Sequence, residues 1–245
     1  YKELECCYFM YKVTFSGIDG SGRSTTIDAL SKRLSDMGLK VVHPHRPAFA
    51  DLPGCDREYF YNMVNTAVDS THRFLDNRNQ RFLTGLLNMG YGWIHRAIER
   101  YAIRRYDPDV ILVGRNLVLD SAVYCTYYFP VSRSLSPKER IRIASSTYQA
   151  KNPDIMLYMD VDPTIAYERI LKRIEDEKKH GAKDRKKWTH MHENPEDLKF
   201  LRDGFEVTLE FLVQQNHARI VRVDASRPQN EVIDGIFSII QNDII

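Results

Sequence analysis

Long apolar runs are missing from this sequence. No stretch approaches the ~20 apolar residues that a membrane-spanning helix requires. The first residues lack the apolar centre and small-residue cleavage site of a signal peptide. We therefore expect no membrane association and a cytoplasmic or other reducing compartment. Net charge is low as well, at +2 over 245 residues, so we do not expect a nucleic acid polymer as partner.

Cysteine is scarce. The four cysteines are Cys6, Cys7, Cys55 and Cys125. They form neither a disulfide framework nor the spacing of a cysteine zinc site, so we expect free thiols. The sequence also has no internal repeat and no low-complexity linker. With 43% hydrophobic and 28% charged residues, it has the composition of a globular protein. We expect a single domain over residues 1–245, in which residues 1–10 could form an N-terminal extension.

Five apolar runs typical of β-strands punctuate the chain. They occupy residues 11–17, 39–43, 109–114, 155–162 and 218–226. Several are nearly continuous in Val, Ile and Leu, as expected of strands that are buried on both faces of a parallel sheet. Helical patterns separate them, at Ile27 to Met37 and at residues 79–106, 137–151 and 196–215. The alternation predicts an α/β three-layer sandwich with a five-stranded parallel sheet flanked by helices.

A dense basic segment follows the fourth predicted strand, reading YERILKRIEDEKKHGAKDRKKW over residues 167–188. Charge runs of this kind are usually solvated surfaces. Because this one directly follows a strand, it also fits a cationic lid, over about residues 167–195, that closes on a triphosphate and excludes water.

The loop after the first strand, SGIDGSGRST at residues 16–25, nearly matches the phosphate-binding pattern G-x-x-x-x-G-K-[ST]. Its glycines let backbone N–H groups converge on phosphate oxygens, and the helix N-terminus behind them favours anions. The predicted ATP-binding residues are Gly17, Gly20, Ser21, Gly22, Arg23, Ser24 and Thr25, with the Ser24 hydroxyl as the predicted Mg²⁺ ligand.

Arg23 stands where this pattern has lysine. Arginine keeps the charge and suits phosphate oxygens, but it is longer and bulkier. The substitution leaves two hypotheses open: an active kinase and a nucleotide-binding domain without turnover.

The loop resembles that of the thymidylate kinase family, usually GxDGxGKST. Residues 152–173 resemble the family's fourth strand and lid opening, Asp184 and Arg185 its lid pair, and residues 223–236 its last strand and helix. The resemblance runs from residue 12 to 240 and is weakest over residues 44–151. It implies transfer of the ATP γ-phosphoryl group to a nucleoside monophosphate, most directly dTMP, with Mg²⁺. A homodimer is a further expectation.

The resemblance also assigns roles to individual residues. Arg23 would neutralise charge on the transferred group, and Arg46 and Arg115 would hold the acceptor phosphate. The predicted catalytic residues are Arg23, Arg115 and the lid arginines Arg169, Arg173 and Arg185. The predicted acceptor-binding residues are Asp19, which would contact the sugar hydroxyl, and Arg46, Phe82, Asn88, Arg115 and Tyr124.

Several positions depart from the family pattern. Gly114-Arg115-Asn116 stands where the family has Asp-Arg-aromatic, and Asn88 aligns with an arginine that contacts thymine. Tyr124 comes one residue later than the family's tyrosine. The departures keep open a deoxynucleoside kinase of the same fold, although such enzymes use a Glu-Arg-Ser-like motif after the third strand.

Two His-x-His pairs, His43/His45 and His190/His192, have spacing that suits metal binding. No third ligand travels with either pair in the sequence. Asp160 and Asp162, at the end of the fourth predicted strand, are expected to cap the turn at Pro163.

Overall fold

The computed structural model describes residues 10–44, 58–148, 152–179, 190–215 and 219–244, without the side chains of residues 58–65 and 177–178. Its strands are β1 (Tyr11–Ser16), β2 (Val41–Val42), β3 (Val110–Val113), β4 (Ile155–Asp160) and β5 (Arg219–Asp224). Its helices are α1 (Arg23–Asp36), α2 (Glu58–Asn77), α3 (Arg81–Tyr106), α4 (Leu117–Tyr128), α5 (Pro137–Tyr148), α6 (Pro163–Lys179), α7 (Pro195–Gln214) and α8 (Gln229–Ile244).

The five strands form one parallel sheet in the order β2-β3-β1-β4-β5. The connection from β1 to β2 runs towards one edge, and the three later connections run towards the other. Because such crossovers are right-handed, these opposite directions place α1 and the later connecting helices on opposite faces. The helix contacts agree: α1 packs with α8, whereas α4 packs with α3, α5 and α7. The predicted α/β architecture, a parallel sheet flanked by helices, is confirmed.

The central strand β1 is buried along its whole length, with Val13 and Phe15 fully inaccessible. The order of strand addition reverses beside β1. Ligands in such sheets bind in the crevice at the carboxyl ends of the strands next to this reversal. Residues 17–22 follow β1 at this end of the sheet, and Arg115 follows β3 at the same end. The fold therefore brings the predicted phosphate loop and a predicted acceptor residue together.

All five predicted strands and the four predicted helical stretches are present in the described residues, with β2 shortened to two residues. Helices α2 and α4 were not predicted. The sequence of α4, LVLDSAVYCTYY, is apolar nearly all round and eight of its twelve residues are buried. It therefore lacks the one-sided periodicity that reveals a helix in a sequence. Among the described residues, no helix is both long enough and apolar enough to cross a membrane.

Candidate active site

The predicted phosphate loop has a backbone that requires glycine. Gly20 and Gly22 have φ angles of 82° and 86°, in the left-handed region that other residues enter at a cost. At Gly20 a Cβ atom would lie 2.3 Å from the carbonyl oxygen of Ala166 in the first turn of α6. At Gly22 it would lie 3.1 Å from Gln229 Oε1 at the start of α8. The loop is therefore packed between the first turns of two helices.

Helix α1 follows the loop directly, starting at Arg23, and its first turn holds no acidic residue. The first N–H groups of a helix have no partner within the helix, and the helix dipole makes that end favourable for anions. Ser24 and Thr25 are exposed there, whereas Ser21 is buried in the loop. The exposed N-terminus and hydroxyl groups fit the phosphate and Mg²⁺ roles predicted for them.

Arg23 is buried beside the loop. Its side chain is only 10% exposed, and its two terminal nitrogens lie 3.4 Å from Asp19 Oδ1 and 3.4 Å from Asp120 Oδ2. Both distances are long for charge-assisted hydrogen bonds, so the guanidinium group lies between two carboxylates without a short contact to either. An arginine fits this position because its fork carries two donors that point in different directions.

Asp19 is the centre of the polar network. Its Oδ1 lies 3.5 Å from Arg115 Nη2, and its Oδ2 accepts hydrogen bonds from Tyr124 Oη at 3.0 Å and His192 Nε2 at 2.9 Å. Burial alone raises the pKa of Asp19. The hydrogen bond from His192 and the charges of Arg115 and Arg23 outweigh burial and hold the pKa well below its usual range. Asp19 is thus an ionised carboxylate inside the predicted phosphate loop.

Asp120 is a second buried carboxylate in this network, and the sequence did not identify it. It lies on α4, 4% exposed, and its Oδ2 is 3.4 Å from Arg23 and 3.8 Å from Arg115. Here burial dominates and raises the pKa, although both arginines oppose that shift. Asp19 and Asp120 share the same two arginines, but the pKa of Asp19 is lowered and that of Asp120 is raised.

His192 was noted in the sequence only as half of a His-x-His pair. In the structure its Nε2 contacts Asp19, while its Nδ1 lies 3.0 Å from the hydroxyl of Tyr128. An ionised carboxylate only accepts hydrogen bonds, so Nε2 must carry the proton. The Tyr128–His192–Asp19 chain thereby anchors the turn at residues 190–194 to the phosphate loop. A sequence motif cannot reveal this link, because 173 residues separate Asp19 from His192.

A cavity of about 310 Å³ opens beside these residues. This volume lies at the lower end of the range usual for small-molecule sites. Its wall includes the predicted acceptor residues Asn88, Arg115 and Tyr124, together with Asp120 and His192. Phe82 is elsewhere: it is 60% exposed and its ring meets Phe129 edge to face at 5.4 Å. Among the described acceptor residues, the structure thus gathers all but Phe82 at the cavity or the loop.

The predicted lid arginines lie in different surroundings. Arg169 donates to the Ala225 carbonyl oxygen at 2.8 Å, which ties α6 to the loop after β5. Arg173 is 41% exposed and lies 3.6 Å from the buried carboxylate of Glu193. Arg46 and Arg185 fall outside the described residues, so their roles and closure of the lid stay predictions.

The departure from the family pattern at Asn116 has a structural explanation. Asn116 caps α4: its side-chain oxygen accepts from Leu119 N at 2.9 Å and its amide donates to Thr14 Oγ1 at 3.1 Å.

Asp162 caps α6 as predicted, accepting from Thr164 N at 2.8 Å. The same prediction was wrong for Asp160, which pairs with Arg202 and Arg222 instead.

The five-stranded parallel sheet, with a glycine loop after its central strand, is consistent with the fold of a P-loop kinase. No protein-family model matches the chain. Curated thymidylate kinases are nevertheless similar along almost all of it. One from Leptospira interrogans is 22% identical over 233 residues, covering 95% of this chain and 94% of the relative. One from Bacillus pumilus is 23% identical over 231 residues, covering 94% of each.

A third thymidylate kinase, from Ligilactobacillus salivarius, is 26% identical over 239 residues and covers 94% of this chain and 97% of the relative. The agreement spans whole chains rather than the phosphate loop alone. These relatives support a place in the thymidylate kinase family.

Proposed function

We propose that the protein transfers the γ-phosphoryl group of ATP to a deoxynucleoside monophosphate, with dTMP as the first candidate. One observation carries the proposal. Arg23 at the phosphate loop and Arg115 at the cavity wall face the same carboxylates, Asp19 and Asp120, within 3.4 to 3.8 Å. Two cations therefore stand together at the junction of the donor and acceptor regions, where a phosphoryl transfer concentrates negative charge.

The donor region fits ATP and Mg²⁺. The positive-φ glycines, the exposed helix N-terminus and the absence of acidic residues in its first turn favour phosphate binding. Ser24 would hold Mg²⁺, as the exposed hydroxyl that directly follows Arg23. When bound, Mg²⁺ neutralises charge on the phosphate oxygens.

The chain's own groups then have complementary tasks. Arg23 neutralises charge on the transferred group, and Arg115 holds the acceptor phosphate in line. Asp19 accepts a hydrogen bond from a sugar hydroxyl, while Tyr124 and His192 fix its orientation. Asp120 keeps the two guanidinium groups apart and in place. An acceptor phosphate is already ionised, so this transfer needs alignment and charge stabilisation rather than a strong general base.

The base of the acceptor would lie in the cavity. Its wall is largely aromatic and apolar, and Asn88 supplies one donor and one acceptor to a base edge. Tyr91 and Tyr148, both buried on this wall, provide flat apolar surfaces. An amide, unlike an arginine, also suits other bases, so the choice of dTMP rests on the relatives' names.

ADP release from ATP and Mg²⁺, measured across a panel of nucleosides and their monophosphates, tests the proposal. We expect turnover with dTMP well above that with thymidine. Turnover restricted to nucleosides would make the protein a deoxynucleoside kinase. Saturable ATP binding without turnover on any acceptor would make it a nucleotide-binding domain without catalysis, and either result rejects the proposal.

A further inference from the structure

Three potential metal ligands meet at one end of the cavity, outside the network described above. They are His72 and Asp76 of α2 and His190, and their metal-ligating atoms all lie within 4.8 Å of one another. His72 and Asp76 are four residues apart, so they share one face of α2. His190 Nδ1 lies 2.7 Å from Asp76 Oδ2, across 114 residues of sequence.

We propose that these three side chains bind one divalent transition-metal ion, best Zn²⁺. Two imidazoles and one carboxylate form a donor set typical of zinc and related metals. Around a tetrahedral zinc ion, ligand atoms stand about 3.3 Å apart. The three atoms reach that spacing by side-chain movements of about 1.5 Å or less, starting from separations below 4.8 Å.

The surroundings suit a bound ion. His72 is 2% exposed, and the side chains of Asp76 and His190 are 4% and 18% exposed. Bulk water therefore has little access to the donor atoms. His72 and His190 both line the cavity, which leaves room on that side for a water molecule as fourth ligand. This partly open coordination is common where three protein ligands hold zinc.

The ion would connect two parts of the chain that are distant in sequence. His190 belongs to the turn that precedes α7, and its ring stacks on that of His192 at 5.4 Å and 9°. A metal bound to His190, His72 and Asp76 would fasten this turn to α2. The ligand pairing differs from the His-x-His pairing suggested by the sequence, because His192 is directed to Asp19.

Cobalt(II) titration of the whole chain tests the site. Co²⁺ occupies zinc sites, and its visible absorption shows the coordination geometry of the bound ion. The protein is first stripped with a chelator and kept free of nucleotide, so that no phosphate-bound metal contributes. We expect one Co²⁺ per chain with the strong visible bands of four-coordination. Zn²⁺ at 100 times its Kd should raise the unfolding midpoint by about 5–10 °C.

Two variants and one control separate metal binding from folding. His190→Ala removes a ligand, and Asp76→Asn keeps an oxygen that accepts from His190 but removes the charge. Each should weaken Co²⁺ binding at least about 10-fold, the loss seen even for groups behind the ligands. His43→Ala is the control, because His43 is a partly buried histidine that faces Asp28 at 3.7 Å, away from the three ligands.

Retained helical circular dichroism shows that a variant has folded. Absence of a one-to-one Co²⁺ complex in the wild-type chain would overturn the proposal. So would equal affinity in Asp76→Asn and the wild type, or charge-transfer bands that assign the ion to cysteine thiolates. In each case Asp76 and His190 are a hydrogen-bonded pair that lies beside His72 and holds no metal.

Discussion

The proposed donor and acceptor regions are built in different ways. The donor region consists of backbone from one short segment, residues 17–25, whose glycines permit its shape. The acceptor region consists of side chains: Tyr124 and His192 reach Asp19 across 105 and 173 residues of sequence. Phosphate groups are recognised by backbone N–H groups once glycines give the loop its shape, whereas a particular acceptor needs particular side chains. We therefore expect substitutions in the donor region to lower turnover and ATP binding, and substitutions in the acceptor region to raise the KM for the acceptor.

The largest effect is expected from Gly20→Ala in the donor region. The new Cβ would lie 2.3 Å from the Ala166 carbonyl oxygen, so the loop must shift away from α6. We expect turnover with dTMP to fall at least about 100-fold, and ATP binding to weaken with it. The free energy of unfolding should fall by about 2–4 kcal/mol.

Gly38→Ala is the matched control for that change. Gly38 also has a positive φ, 87°, but no atom lies within 4 Å of its added Cβ. It should lose only about 1–2 kcal/mol of stability, measured by urea unfolding, with unchanged ATP affinity. Wild-type ATP affinity in Gly20→Ala would show that the loop is not the phosphate site.

The next effect concerns Arg23, where the two regions meet. Arg23→Ala should lower kcat about 100-fold, the scale for losing a preorganised charge in a water-poor site. Arg33→Ala is the control on the same helix, because Arg33 is 41% exposed and pairs with Asp234 at the surface. Steady-state ADP release should show no change in that variant. An unchanged kcat in Arg23→Ala would show that Arg23 has no catalytic role.

A smaller effect, confined to the acceptor region, is expected for Tyr124→Phe. It removes the hydroxyl that donates to Asp19 at 3.0 Å. We expect the KM for dTMP to rise about 10-fold, equal to about 1.4 kcal/mol, with little change in the KM for ATP. Tyr127→Phe on the same helix removes an equal 3.0 Å hydrogen bond to Asp197. A rise in the dTMP KM of both variants would mean that the effect is general loosening of α4.

The smallest effect separates the two carboxylates by pH. The folded-state pKa of Asp19 lies below its ordinary value of 3.8, so its contribution is complete above that value and is lost as pH falls through the folded pKa. The pKa of Asp120 is raised, so its contribution is present at low pH and is lost as pH rises through the folded pKa.

At pH 7, therefore, Asp19→Asn should lower the unfolding midpoint by a few degrees, and the loss should shrink below about pH 4. Asp120→Asn should cost less stability at pH 7 than Asp19→Asn, because burial already disfavours the charged form of Asp120. Thermal unfolding at both pH values measures this contrast. Equal losses for the two variants at pH 7 would contradict the opposite pKa shifts.

The sequence predicts the local part of this molecule well. The strands are continuous apolar runs and the loop is a contiguous motif, so both are visible in one short window. Asp120 and His192 could not be identified in this way, because their importance comes from neighbours on other elements. A useful signal was present for Asp120, a lone carboxylate inside the apolar stretch LVLDSAVYCTYY. A charge in such a stretch is buried and therefore needs a cationic partner.

The packing of the phosphate loop also bears on how the protein is synthesised. The loop leaves the ribosome well before Gln229, whose amide donates to Thr26 Oγ1 at 2.8 Å, because about 200 residues lie between them. At ordinary elongation rates, about 10–40 s separate the two. Over that time the nascent loop lacks its support from α8, so we expect nucleotide to contribute little to the stability of the growing chain. We therefore expect a bound nucleotide to aid folding only after α8 has been released.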